Sequence, residues 1–266
     1  MISTPWGDLP AWPVYAVVAF LGACFGSFAN VLIYRLPAEE SLVHPPSRCP
    51  ACGKGIAWYD NIPVLSWLLL RGKCRSCRAA ISIQYPLIEL ASAGFAVLAV
   101  WKWGATYAGL AHGLLLIGLL ALILIDLRHW LLPFAITIPL TLLGLAGAVF
   151  ADMLPIKSAL LGAGLGFGAF LLMLVGGKLV FGKEAMGGGD VVFGAMAGSF
   201  VGWQLTLLMI FLASLLGTFY AIALLILRKD VAGRSVPFGP FLAAALAICL
   251  FWGADIVGWY LKMLRL

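Results

Sequence analysis

Charge is what this sequence has least of. Only 11% of its 266 residues are Asp, Glu, Lys or Arg, while 63% are apolar. Water-soluble domains sit nearer one quarter charged and one half apolar, so this balance excludes an ordinary soluble globule. Histidine is scarce as well, and His44, His112 and His129 have no metal-ligand spacing and carry no assignment. No glycine-rich nucleotide loop stands between a strand and a helix. The segment before the first apolar run contains Asp8 but no Lys or Arg, and the run itself, 13–34, ends at Arg35. That run is too long for the core of a removable signal peptide, so it is read as a retained first span.

What the sequence does have is long apolar runs. Thr106 to Ile125, Pro133 to Ala151, Ser158 to Val180 and Leu205 to Leu227 carry almost no charge. Each is close to the ~20 residues that cross a bilayer as a helix. The expected architecture is an all-α polytopic membrane protein with about eight transmembrane helices, at 13–34, 85–103, 106–126, 133–151, 158–180, 190–202, 205–227 and 236–260. The sixth is short and glycine-rich, and the eighth opens with Pro237 and Pro240, predicting a broken first turn. Three regions are expected: a first transmembrane helix (1–34), a loop domain (35–84) and a transmembrane core (85–266).

Basic residues give the orientation. With the N-terminus outside, the inner loops hold Arg35, Arg48, Lys54, Arg71, Lys73, Arg75, Arg78, Arg128, Lys178, Lys183, Arg228, Lys229 and Arg234, thirteen of the seventeen Lys and Arg. The bias predicts a cytosolic 35–84 loop. The net charge of +6 then reports orientation in a bilayer rather than a nucleic-acid partner.

That loop is too short to bury a core of its own without a staple. It contains two CxxC knuckles, Cys49-Pro-Ala-Cys52 and Cys74-Arg-Ser-Cys77, separated by 21 residues. Such a pair can set four thiolates around a tetrahedral Zn²⁺ with no open position for water, and structural zinc is the expectation. Two disulfides are the main alternative, disfavoured in a reducing cytosol; a redox CxxC is a weaker one, with no βαβ unit around it. Gly53 and Gly72 lie where tight turns around a metal are expected. Cys24 and Cys249, in apolar spans, are read as small core residues.

Acidic residues near a membrane are functional candidates because burying a charge there is costly. Asp126 ends the run Leu122-Ile123-Leu124-Ile125, and Asp190 follows Gly187-Gly188-Gly189, 64 residues later. The expected topology places both at the inner ends of helices. Two carboxylates in contact tend to share one proton, which supplies a base to activate water and an acid for the leaving amine. The three glycines leave room for a substrate backbone beside Asp190. The plainer readings stay open: Asp126 as an interfacial charge paired with Arg128 or capping the next helix, and Asp190 as a helix N-cap. The glycines Gly22, Gly26, Gly162, Gly164, Gly166 and Gly168 have the spacing of close helix packing.

The sequence resembles the type IV prepilin leader peptidases, aspartyl proteases with a Gly-X-Gly-Asp motif. The resemblance runs through Gly26-Ser-Phe-Ala-Asn-Val31, Tyr34-Arg-Leu-Pro37, the cysteine loop with Asn61-Ile-Pro-Val-Leu-Ser-Trp67, Tyr85-Pro-Leu-Ile-Glu-Leu90, Asp126 with Leu132-Pro133, Gly187 to Asp190, and Pro237-Phe-Gly-Pro-Phe241. It implies cleavage of prepilins or pseudopilins after a Gly, on the cytosolic side of the bacterial inner membrane. It also implies methylation of the new amine by S-adenosylmethionine. Glu89 resembles a family acidic position and either holds a substrate ammonium or pairs with an arginine. Asn30, Tyr34 and Arg35 either orient a substrate backbone or anchor the span at the interface. Two positions depart from the family pattern: Phe134 where Asp is common, and Val192 where Lys is common. A transporter using intramembrane carboxylates is the alternative from another class; it would place acids near the midplane in repeated halves. A methyltransferase without protease activity is a third reading.

Overall fold

Once water is withdrawn, a backbone satisfies its own polar groups most simply by coiling, and the apolar runs of this chain are helical throughout. The computed structural model describes residues 12–182, 186–227 and 237–264. Its elements are α1 (Trp12–Arg35), a 3₁₀ turn (Trp58–Asn61), α2 (Leu65–Leu69), α3 (Gln84–Trp103), α4 (Tyr107–His129), α5 (Phe134–Phe150), α6 (Ile156–Phe181), α7 (Gly188–Ile226) and α8 (Gly239–Leu264). Six of these are long and apolar enough to cross a membrane, and α5 is a shorter apolar helix of 17 residues. At 39 residues, α7 is two helices joined at Gly202, whose φ of 75° and ψ of 174° are not helical. Its two arms are the expected sixth and seventh spans, so the apolar segments number about eight. The basic residues Lys183, Arg228, Lys229 and Arg234, which entered the orientation argument, lie outside the described residues, as does Asp8.

The chain forms two compact units, one up to Ala121 and one from Leu122. In the first, α1 and α3 touch backbone to backbone. A Cβ on Gly22 would stand 2.6 Å from Ala96 Cβ, and one on Gly26 2.8 Å from Glu89 Cα. The small residues therefore set the distance between these helices. Tyr34 and Tyr85 stack beside that contact, 5.3 Å between ring centroids. Between the helices, only Cys49, Ser66 and Gly72 of residues 36–83 are buried. The loop has almost no apolar core, and its order depends on its cysteines and hydrogen bonds.

In the second unit, α6 lies on α7 through facing glycines. A Cβ on Gly162 would collide with the Gly198 carbonyl oxygen, and one on Gly166 with that of Gly194. Here the expectation needs correcting: Gly164 and Gly168, on another face of α6, meet nothing within 4 Å. Of the four glycines with that spacing, Gly162 and Gly166 are packing residues and Gly164 and Gly168 are not. The eighth helix starts at Gly239 with Pro240 in its first turn, where a missing N–H is harmless.

Candidate active site

Asp126 is in the last turn of α4, and the fold turns its carboxylate inward. It is 6% exposed, and its Oδ2 accepts the backbone N–H of Gly239 at 2.9 Å. That donor is 113 residues away in sequence. A Cβ on Gly239 would stand 2.6 Å from Asp126 Oδ2 and 3.1 Å from Leu132 Cδ2, so this close approach requires glycine.

Asp190 is the third residue of α7 and 9% exposed. The N-cap is Gly187, not Asp190; the carboxylate sits in the first turn and takes the Gly187 N–H at 3.2 Å. This is the reach-back half of a capping box. Leu132 packs on the glycine that serves Asp126 and on the glycine that precedes Asp190. Besides its contact with Gly239, its Cβ would be 2.7 Å from a Cβ on Gly189, next to Asp190. The structure thus brings together residues that the sequence separates by 64 positions.

The three glycines before Asp190 divide by role. Gly189 is closed off by Leu132, so its missing side chain serves packing. At Gly188 the nearest atom to an added Cβ is Phe134 Cζ at 4.0 Å, and at Gly187 it is the Asp190 carboxylate at 3.7 Å. Both are exposed, so the open backbone lies beside Gly187 and Gly188. Phe134, one of the two departures from the family pattern, borders that opening. Gly239 and Leu132 were not singled out as site residues in the sequence. The Pro-Phe-Gly-Pro-Phe run and the Leu-Pro after Asp126 were visible, but nothing local shows that they converge.

The four expected metal ligands also converge. The Sγ atoms of Cys49, Cys52, Cys74 and Cys77 all lie within 4.8 Å of one another. Those of Cys49 and Cys77 are 3.8 Å apart, far beyond a disulfide of ~2.05 Å. Zinc–sulfur bonds of ~2.3 Å in a tetrahedron give an edge of roughly 3.8 Å, so the cluster fits a four-thiolate centre. Each knuckle turns under backbone hydrogen bonds: Gly53 N–H to Cys49 O at 2.8 Å, and Arg78 N–H to Cys74 O at 3.0 Å. Gly53 and Gly72 have φ of 69° and 66°, as expected of tight turns. In the second knuckle, however, the residue equivalent to Gly53 is Arg78, held left-handed at φ 62°. The backbone N–H groups of Cys77 and Ser76 point at Cys74 and hold its thiol down to about 7. Beside it, Arg75 and Asp60 pair at 2.6 Å, and the bond holds the Asp60 carboxyl below its ordinary range.

The remaining candidates have partners inside the first unit. Glu89 Oε2 accepts the Val64 N–H at 2.7 Å. Asn30 donates to Gly26 O at 3.3 Å and Tyr85 O at 3.2 Å. Arg35 donates to Ser41 O at 2.9 Å and Pro45 O at 2.8 Å. These three side chains fasten the loop and the α1–α3 pair.

Comparison with known proteins gives two family matches. Residues 20–103 match the bacterial peptidase A24 N-terminal domain, and residues 113–222 match the type IV leader peptidase family. The prepilin leader peptidase/N-methyltransferase of Pseudomonas aeruginosa is 41% identical over 265 residues, 91% of each chain. Its namesake in Pseudomonas putida is 38% identical over 98% of this chain and 99% of that one. The Myxococcus xanthus protein of the same name is 44% identical over 86% of this chain and 68% of its own length. No solved structure matches this chain. The matches do not favour the transporter reading.

Proposed function

This chain belongs to the type IV leader peptidase family, and from that premise we propose that it is a membrane aspartyl endopeptidase that removes the leader of prepilins or pseudopilins after a Gly. The observation that supports this most is the pair of buried carboxyls, Asp126 and Asp190, each given a backbone N–H, with the glycine that serves Asp126 and the glycine before Asp190 both packed on Leu132. In this reading one carboxyl is ionised and the other holds the shared proton. The ionised group takes a proton from water as the oxygen adds to the scissile carbonyl carbon. The protonated one gives its proton toward the substrate, and collapse of the tetrahedral adduct releases the leader carboxylate and the new amine. Gly187 and Gly188 offer the uncovered backbone for an extended substrate segment, with Phe134 at its edge.

We place the active site on the cytosolic side of the bacterial inner membrane, on the strength of the basic-residue bias. Zinc is the proposed occupant of the cysteine cluster, held by Cys49, Cys52, Cys74 and Cys77 in a closed structural role. The relatives' names include N-methyltransferase, so methylation of the new amine from S-adenosylmethionine is the proposed second activity. Among the described residues no strand-to-helix glycine loop offers a nucleotide cradle, and no side chain is assigned to that cofactor.

The test is incubation of the purified protein with a model prepilin and sequencing of the product. A new N-terminus directly after the leader Gly, formed without S-adenosylmethionine, is the expected result. An intact precursor, or product only when the methyl donor is added, would remove this reading.

A further inference from the structure

The loop of the first unit carries an apolar face that is exposed among the described residues. Leu65, Leu68 and Leu69 share one side of α2 and are 56%, 57% and 83% exposed. The other side of this short helix is fixed. Ser66 Oγ donates to Tyr59 O at 2.9 Å, and Trp67 Nε1 donates to Ile81 O at 3.1 Å. The leucines therefore point outward from a helix that is held in place.

Its position is set by Glu89. Val64, the N-cap of α2, donates its N–H to Glu89 Oε2 at 2.7 Å. Glu89 is five residues beyond Gln84, the start of the membrane-spanning α3. At 1.5 Å per residue that is about 7.5 Å along the span. Leu87 and Leu90, on either side of it, are exposed apolar surface of the same span. The start of α2 is thus tied to the first turns of α3, where that helix carries its apolar flank. Charge follows the same order: Arg71 and Lys73, both exposed, come directly after α2, and no Asp or Glu occurs between Asp60 and Glu89.

We propose that α2 is an interfacial helix, with Leu65, Leu68 and Leu69 entering the acyl region of the adjoining leaflet and Arg71 and Lys73 at the level of its phosphates. The partner is the phospholipid bilayer itself. The exposed leucines and the exposed Leu87 and Leu90 are apolar surface on two elements tied by the Val64–Glu89 bond, and the basic pair complements anionic headgroups. The bilayer thereby fixes the depth of a cysteine loop that has almost no core of its own. The inference rests on the membrane architecture and is independent of the peptidase reading.

The test places the photoreactive residue p-benzoyl-phenylalanine at position 69 in the full-length protein. Leu69 is the most exposed of the three, so the change leaves the fold intact. The protein is reconstituted in vesicles of phosphatidylethanolamine and phosphatidylglycerol, irradiated and weighed by mass spectrometry, with and without a model prepilin. Adducts carrying the mass of one phospholipid, in equal yield with and without prepilin, are expected. Crosslinks to prepilin or to a second copy of the chain, or irradiation that leaves no lipid adduct, would overturn the proposal.

Discussion

Asp126 depends on a glycine 113 positions away. Gly239→Ala would push a methyl group into the carboxylate it serves. It should slow prepilin cleavage by at least about tenfold, since a charge-assisted hydrogen bond of roughly 1.5–3 kcal/mol is displaced. Zinc content and membrane insertion should stay at wild-type levels; unchanged cleavage by this variant would detach Gly239 from the site. The glycines before Asp190 should separate in the same assay. Gly189→Ala meets Leu132 and should lower thermal stability, whereas Gly188→Ala meets only Phe134 at 4.0 Å. If substrate backbone passes there, Gly188→Ala should raise KM with little change in melting temperature. Asp126 and Asp190 were legible as candidates from their rarity in an apolar chain. Gly239 was not, because a hydrogen bond across 113 residues leaves no local trace. Glu89 was legible as an acid that resembles a family position, yet its partner, the Val64 N–H, is a backbone atom that no residue pattern reports.

At the level of helices, hydropathy announces spans because burial in lipid tolerates almost nothing else. The break at Gly202 was legible too, as a short glycine-rich span ahead of a longer one. Which glycines pack was not: Gly162, Gly164, Gly166 and Gly168 have the same spacing, and only the rotation of α6 against α7 chooses among them. Gly162→Ala, facing the Gly198 carbonyl, should force the helices apart and lower the melting temperature in detergent. Gly164→Ala, with open space around it, should be neutral or stabilising, by up to ~1 kcal/mol from helix propensity. Equal melting temperatures for the two variants would contradict the packing described. The knuckles show another limit of spacing. CxxC predicts the metal cluster, but the left-handed turn of the second knuckle falls on Arg78, a residue type that gives no signal of it.

For the whole molecule, the cysteine loop and the carboxylates make separable demands. Metal analysis should find about one zinc per chain. Cys49→Ser or Cys77→Ser should lower that figure and expose the loop to protease, because residues 36–83 bury so little else. A loop as protease-resistant in these variants as in the wild type would show that the metal is not its staple. The central claim is that Asp126 and Asp190 act as one unit on a peptide bond. The measurement that bears on it most directly is the rate of prepilin processing by purified, zinc-loaded Asp126→Asn and Asp190→Asn proteins. Each should be slowed by at least about 10²-fold, the smallest loss general acid–base catalysis leads one to expect, with insertion and zinc content unchanged. Processing at the wild-type rate by either variant would contradict the account.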